Sequence, residues 1–528
     1  FSVDHGDPRP DPRSRLQPYG VHGFSRVPDP HFTWTDRRWQ PPPLAGGLIY
    51  ELHVGTFSAE GTFDGAIARL DHLLELGVTH VELMPVAEFP GTRGWGYDGV
   101  DLYAPHHAYG GPTGLKRFVD ACHARGLAVL LDVVYNHLGP NGNYLSVYGP
   151  YFTDRYRTPW GDALNLDGPE STEVRRFLIE NALYWLDEYH LDGLRLDAVH
   201  AIVDTSALHF LEELTLEVRA LESHLERRLV VTAESDLNDA RLVRPPAMGG
   251  YGLDAMWSDD VHHALHAVLT GERTGYYEDF GTIAALEKAL TRGLVYDGVY
   301  SPHRKRRHGR LAPDLRGSQL IAFLQNHDQV GNRARGERIG HLVSLDRVRV
   351  GAALLFTAPF VPLIFQGEEW AASAPFPYFT DHEDPELGRA VSEGRRREFG
   401  AFGWRPEDVP DPQAPETFTR AKLDFQEIER APHAETFEWY RRLARLRRER
   451  PELTDDRLER VHARSDEGAR TLVLERGRVV VACNLGDEPA VVPASAVEGR
   501  TLLLASKGPP RSSGNGALLE PWSVSILG

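Results

Sequence analysis

Gly193-Leu-Arg-Leu-Asp-Ala-Val-His200 is a short apolar run that carries a guanidinium and a carboxylate two residues apart. Side chains alternate between the faces of an extended strand, so Arg195 and Asp197 project together, away from Leu194 and Leu196. A cation beside a carboxylate favours its ionised form, which suits Asp197 to nucleophilic work. Taken alone, the stretch reads equally well as an interior ion pair with a structural role. Two further stretches decide the matter. Leu229-Val-Val-Thr-Ala-Glu-Ser235 delivers Glu234 at the C-terminal end of a β-branched run, and Leu320-Ile-Ala-Phe-Leu-Gln-Asn-His-Asp328 delivers Asp328 in the same way. Acids at the ends of three separate apolar strands are hard to explain as packing.

Outward from these runs the chain alternates regularly. Strand patterns fall at Leu48–Val54, Val78–Val86, Leu127–Tyr135, Gly193 onward, Leu229–Ala233, Ala255–Ser258, Leu320–Gln325 and Val361–Phe365. Helical spacing lies between them: Phe63, Ile67, Leu70 and Leu74 precede Gly77, Leu115–Ala124 stops at Gly126, and Val174, Leu178, Ala182 and Trp185 share a face. Near-continuous Val, Ile and Leu strands belong to a parallel sheet covered on both sides. Eight β-α units predict an α/β fold, a closed (β/α)8 TIM barrel over residues 47–450, with a doubly wound open sheet as the alternative. The acids favour the barrel, because barrel enzymes gather their chemistry at strand C-termini.

Three other regions stand apart. Residues 1–46 are rich in proline and charge and read as a linker and the tail of a truncated N-terminal β domain. Residues 138–171 are far longer than a βα loop of roughly two to six residues and read as an inserted subdomain after the third strand, walling the cleft. Its aromatics, Tyr144, Tyr148, Tyr151, Phe152, Tyr156 and Trp160, are candidates either for stacking on sugars or for the insert's own core. Residues 452–528 carry a strand-turn-strand pattern at Leu472–Cys483 and read as a C-terminal β-sandwich.

Composition narrows the function. Of 528 residues, 41% are hydrophobic and 25% charged, and the net charge is −18, which argues against nucleic acid and anionic membranes as partners. Arg304–Arg307 reads as a loop and Arg441–Arg450 as the solvated face of a helix. Cys122 and Cys483 are far apart, and Cys122 shares a helix face with Leu115, Phe118 and Val119, so it reads as core. No apolar stretch of about 20 residues is present, and no signal peptide is evident, so the cytoplasm is the expected compartment.

Paired carboxylates without a cysteine nucleophile, a phosphate-cradling glycine loop or a metal cluster point to hydrolysis at an acetal centre. A glycosidic bond needs one acid to protonate the leaving oxygen and one carboxylate to face the anomeric carbon. Asp197 suits the second task, Glu234 the first, and Asp328 is a third carboxylate for gripping hydroxyls and stabilising positive charge. His137 and His327 are suited to holding hydroxyls. The pairs His106/His107 and His262/His263 lack further ligands at a telling spacing and read as packing or surface histidines.

The segments Asp132-Val-Val-Tyr-Asn-His137, Gly193–His200, Glu234 and Gln325-Asn-His-Asp328 resemble, in order, the four signature regions of the α-amylase family of glycoside hydrolases. The resemblance implies an α-retaining double displacement with Asp197 as nucleophile, Glu234 as general acid/base and Asp328 as transition-state stabiliser. It also implies that His137, Arg195 and His327 bind the sugar at the cleavage point and that Tyr97, in Gly94–Tyr103, is its stacking platform. Asn136 matches a calcium-binding position in many members, but no cage is evident around it, so neither metal nor cofactor is expected.

Within the family, Tyr151–Asp154, Thr158–Asn165, Gln325–Asn332, Gly367–Trp370, Pro375–His382 and Gly394–Phe399 resemble enzymes that cut the α-1,4 bond beside a terminal trehalose. That resemblance implies a maltooligosyltrehalose synthase as functional partner. It also suggests that Trp370, Phe376, Tyr378 and Phe379 either line the aglycone side or pack the loop after the eighth strand. A glycogen branching or debranching enzyme is the alternative. A family member that has lost catalysis is disfavoured, because all three acids are kept.

Overall fold

A computed structural model describes residues 1–401, 405–514 and 516–528, without the side chains of residues 398–401 and 406; Glu398 and Phe399 of the Gly394–Phe399 segment therefore lie outside the described side chains. Eight strands close into a barrel: β1 (Ile49–Leu52), β2 (His80–Leu83), β3 (Ala128–Val133), β4 (Gly193–Leu196), β5 (Val230–Ala233), β6 (Ala255–Trp257), β7 (Leu320–Phe323) and β8 (Val361–Phe365). All neighbours are parallel, and β8 pairs with β1 to complete the ring. The open-sheet alternative is thereby excluded.

Alternation along each strand builds two apolar layers. Ile49, Leu130, Val230, Ala255, Ile321 and Leu363 fill the interior, whereas Leu131, Leu194, Leu196, Val231 and Ala322 join the shell between strands and helices. Gly193 faces inward, where a Cβ would come within 2.3 Å of the Val230 carbonyl oxygen, so only glycine lets β4 and β5 close there. The first predicted helix is two, Phe63–Ile67 and Leu70–Leu76, and Gly77 ends the second with φ 94°.

Residues 1–46 contain no helix or strand but are bonded to the barrel, with the Trp39 indole donating to Asp192 and the Thr35 backbone to Asp120. After β3, the chain makes a short helix, Leu145–Tyr148, and an antiparallel hairpin of Phe152–Thr158 and Gly161–Leu164. At the C-terminal end, a five-stranded and a three-stranded antiparallel sheet pack against each other through Val473, Val480, Val492 and Leu519.

The basic runs differ from expectation. Arg306–Gly309 is a strand paired with Asp297–Ser301, so Arg304–Arg307 spans a hairpin and not a free loop. In the helix His433–Glu449, Arg447 is buried and donates to the carbonyls of Phe356, Ala358 and Phe360, which the solvated-face reading did not anticipate. Among the described residues, no helix is long and apolar enough to cross a membrane.

Candidate active site

The acids meet where the strands end. β4 carries Arg195 inward in register with Asp132 of β3 and Thr232 of β5, and Asp197 follows one residue beyond the strand. Ala198 then turns the chain sharply at φ 39°, a left-handed conformation that costs a residue with a Cβ of the order of 1 kcal/mol. That turn aims the Ala198 N–H at a Glu234 carboxylate oxygen, 2.9 Å away.

Arg195 is the hub. One terminal nitrogen donates to Asp132 at 2.6 Å and to Asp197 at 2.9 Å, and the other donates to Glu234 at 2.8 Å. The guanidinium lies over the Trp257 ring, 4.2 Å from its centroid, which adds a cation–π contact from β6. Burial disfavours charge on Arg195, but Asp132, Glu234, Tyr97 and Asp197 together hold it protonated. The Asp197 and Glu234 side chains keep 10% and 17% of their surface open, so both remain reachable from the mouth of the barrel.

A hydrogen-bonded ring surrounds this core. The Tyr97 hydroxyl donates to Asp132 at 2.6 Å and lies 2.8 Å from His327 Nε2, and the Tyr97 and His327 rings stack. Burial raises the Asp132 acid to about 7; Arg195 opposes the rise and Asp197 adds to it. The Asn136 amide N–H groups donate to both the carbonyl and the carboxylate of Asp197, at 2.8 and 2.6 Å, and its oxygen accepts from His137 Nδ1, so its side chain is committed to orienting the site. Burial pushes His137 down to about 4, leaving it a neutral imidazole. Burial would also lower His327, but the Glu51 carboxylate on its Nδ1 overcomes this and lifts it to about 9. Asp328 lies in the first turn of the short helix His327–Gly331, accepts from Asn332 at 3.1 Å and leaves 39% of its side chain exposed. Desolvation raises its pKa, His327 restrains the rise and Glu234 adds to it.

The geometry thus links Arg195, Asp197, Glu234, Asp328, Tyr97, His137 and His327 in one network of contacts at the C-terminal end of the barrel strands. Glu51, Asp132 and Trp257 belong to it as well, although the sequence reading gave them no role. Only their register at the barrel mouth exposes them, since an acid or tryptophan within a strand has no distinctive spacing.

The readings that the sequence left open now divide. Trp370, Phe376 and Phe379 are each 0% exposed and pack the loop after β8, so they do not line the aglycone side; Tyr378 is partly exposed beneath Arg395. In the insert, Tyr148 bonds the Pro10 carbonyl, Tyr151 packs edge-on against Phe177 and Tyr156 bonds Asp167, all anchoring contacts. Trp160 differs: it is 49% exposed and stacks on His137 with centroids 4.3 Å apart and planes 6° from parallel. The pair His106/His107 does gain a third potential ligand, Glu88, whose oxygens take the His107 ring and backbone N–H groups. His262 is buried and bonds the Leu324 carbonyl.

The chain is similar to known proteins over most of its length. Residues 32–156 match the alpha amylase catalytic domain, and residues 456–526 match a domain family of unknown function, DUF3459. The malto-oligosyltrehalose trehalohydrolase of Arthrobacter ramosus is 54% identical over 93% of this chain and 85% of its own length. The one from Mycobacterium tuberculosis is 48% identical over 98% of this chain and 89% of its own. A crystal structure from Salmonella typhimurium, described as an alpha-amylase candidate, superposes with a TM-score of 0.90 at 39% identity, covering 99% of this chain and 88% of that one. A glycosidase with the α-amylase catalytic domain, this chain belongs to the malto-oligosyltrehalose trehalohydrolase family.

Proposed function

We propose that the chain cleaves the α-1,4 bond adjacent to the terminal trehalose of maltooligosyltrehalose, releasing trehalose and a maltooligosaccharide with retention of configuration. In the first step the Asp197 carboxylate attacks the anomeric carbon, the carbon–oxygen bond breaks and Glu234 gives its proton to the departing trehalose oxygen. In the second step water attacks the glycosyl ester, Glu234 takes the proton and Asp197 is released. Asp328 and the charged His327 hold hydroxyls of the reacting ring, Tyr97 supports its face, and Asp328 stabilises the oxocarbenium character of the transition state.

The observation that carries this reading is the single Arg195 guanidinium gripping Asp197 at 2.9 Å and Glu234 at 2.8 Å. One cation shared by both sets the proposed nucleophile and the proposed proton donor side by side, the pairing a double displacement uses. The family names of the two relatives above supply the substrate. A maltooligosyltrehalose synthase is the functional partner this implies, and the cytoplasm is the place of action we propose.

The test is incubation with maltotriosyltrehalose, following free trehalose and the anomeric form of the released sugar by NMR. Trehalose with an initially α-configured maltotriose supports the reading. New α-1,6 links made from amylose, with no trehalose released, would place the chain among branching enzymes instead.

A further inference from the structure

After β2 the chain forms a hairpin in which Ala87–Glu88 pairs with Asp101–Pro105, and the loop between these strands carries Trp95 and Tyr97. His106 and His107 follow directly beyond the second strand. They meet Glu88 there: the Nδ1 atoms of both rings face the same carboxylate oxygen, at 2.6 Å from His107 and 3.2 Å from His106. One ligand atom from each of the three lies within 4.8 Å of the other two. Glu88 stands 19 residues before His107, so the sequence does not display the trio.

Hydrogen bonding explains part of the arrangement. One Glu88 oxygen takes the His107 ring, and the other accepts the His107 backbone N–H at 2.8 Å. His106 is left over. Its ring is 0% exposed and stacks on Phe89 with centroids 3.8 Å apart, and neither of its nitrogens makes a hydrogen bond, although one is turned toward the Glu88 carboxylate. An imidazole buried in this way costs free energy that an apolar ring filling the same space would not.

Charge points in the same direction. Asp101, in register with Glu88 across the hairpin, is also buried and has one oxygen without a partner. Among the described residues neither acid is paired with a lysine or arginine, so a dication would supply the missing positive charge. Two imidazoles and a carboxylate are the donors zinc accepts, at about 2.0–2.2 Å in a tetrahedron, whereas calcium and magnesium favour oxygen alone. The His107 side chain keeps 26% of its surface open, which leaves an approach from solvent.

We propose that Glu88, His106 and His107 bind one zinc ion, with its fourth position open to water on the His107 side. The ion ties together the two ends of the loop that presents Tyr97. The inference does not depend on the substrate proposed above.

The test is zinc uptake by the intact chain. Protein stripped with EDTA, dialysed against zinc and desalted retains about one zinc ion per chain by mass spectrometry, as one three-ligand site requires. Anomalous scattering at the zinc edge places that ion between Glu88, His106 and His107. In competition with a chromophoric chelator, His107→Ala loses at least about 10-fold in zinc affinity. His107→Gln retains an amide donor for Glu88, loses zinc to a similar extent, and carries the test should the alanine variant fail to fold. Wild-type protein that retains no zinc, variants that bind it as tightly as wild type, or an anomalous peak elsewhere overturns the proposal.

Discussion

Both carboxylate oxygens of Glu51 are taken by His327: one faces the ring Nδ1 and the other accepts the backbone N–H at 3.0 Å. The acid sits at the third position of β1 and the histidine beyond β7, so the contact reaches past the one strand between them, β8. It fixes which ring nitrogen points toward Tyr97 and the sugar, and it keeps the imidazole charged.

Replacing Glu51 with Gln removes that anion, so the pKa of His327 drops from about 9 toward its ordinary value. The alkaline limb of kcat/KM moves to lower pH by about one unit or more. The sign for stability follows from a folded pKa raised above the unfolded one. The pair's stabilisation is complete below about 6.5 and is lost as pH rises through about 9. Denaturant titrations of wild type and Glu51→Gln therefore converge above that pH, and a stability gap independent of pH would contradict the account.

Asp197→Asn and Glu234→Ala separate the two catalytic roles. Each lowers kcat on maltotriosyltrehalose by about a thousandfold or more, while calorimetry still registers substrate binding. Azide restores turnover of α-maltotriosyl fluoride by Glu234→Ala, giving an α-configured glycosyl azide, and does nothing comparable for Asp197→Asn. Rescue in the reverse pattern would exchange the assignments.

Arg195→Lys keeps the charge and loses the fork. An ammonium cannot serve Asp132, Asp197 and Glu234 at once, so at least one acid is left without its cation. The expected fall in kcat is about 100-fold, with the thermal midpoint also lowered, because a buried acid stripped of its partner costs about 3–5 kcal/mol. A lysine variant with near-normal turnover would remove the hub role.

Two tryptophans should respond in opposite ways. Trp160→Ala strips the aromatic surface stacked on His137 and raises KM several-fold with little change in unfolding. Trp370→Ala empties a fully buried site where the indole donates to Glu427 at 3.1 Å, and it destabilises by about 3–5 kcal/mol. Inhibition kinetics and denaturant midpoints distinguish them.

The strands and the three acids were legible because both signals are local: β-branched runs mark buried parallel strands, and an acid at the end of such a run violates their composition. Glu51, Asp132 and Trp257 were not, since their meaning depends on neighbours 62 to 276 residues away, as for Trp257 and Asp132 with Arg195 and Glu51 with His327. Burial was equally hidden at Trp370, Phe376 and Phe379, where aromatic spacing alone fits a sugar platform and a packed loop alike.

The three-way grip of Arg195 has a consequence for turnover under the proposed double displacement. Before attack Asp197 is anionic and Glu234 carries the proton; in the ester intermediate Asp197 is neutralised and Glu234 is the anion. The same two forks of one planar cation face a single mobile negative charge throughout, so the electrostatic sum at the site is unchanged between half-reactions. Neither waters nor side chains then need to rearrange to compensate, and one immobile residue serves both the departure of the disaccharide and the arrival of water.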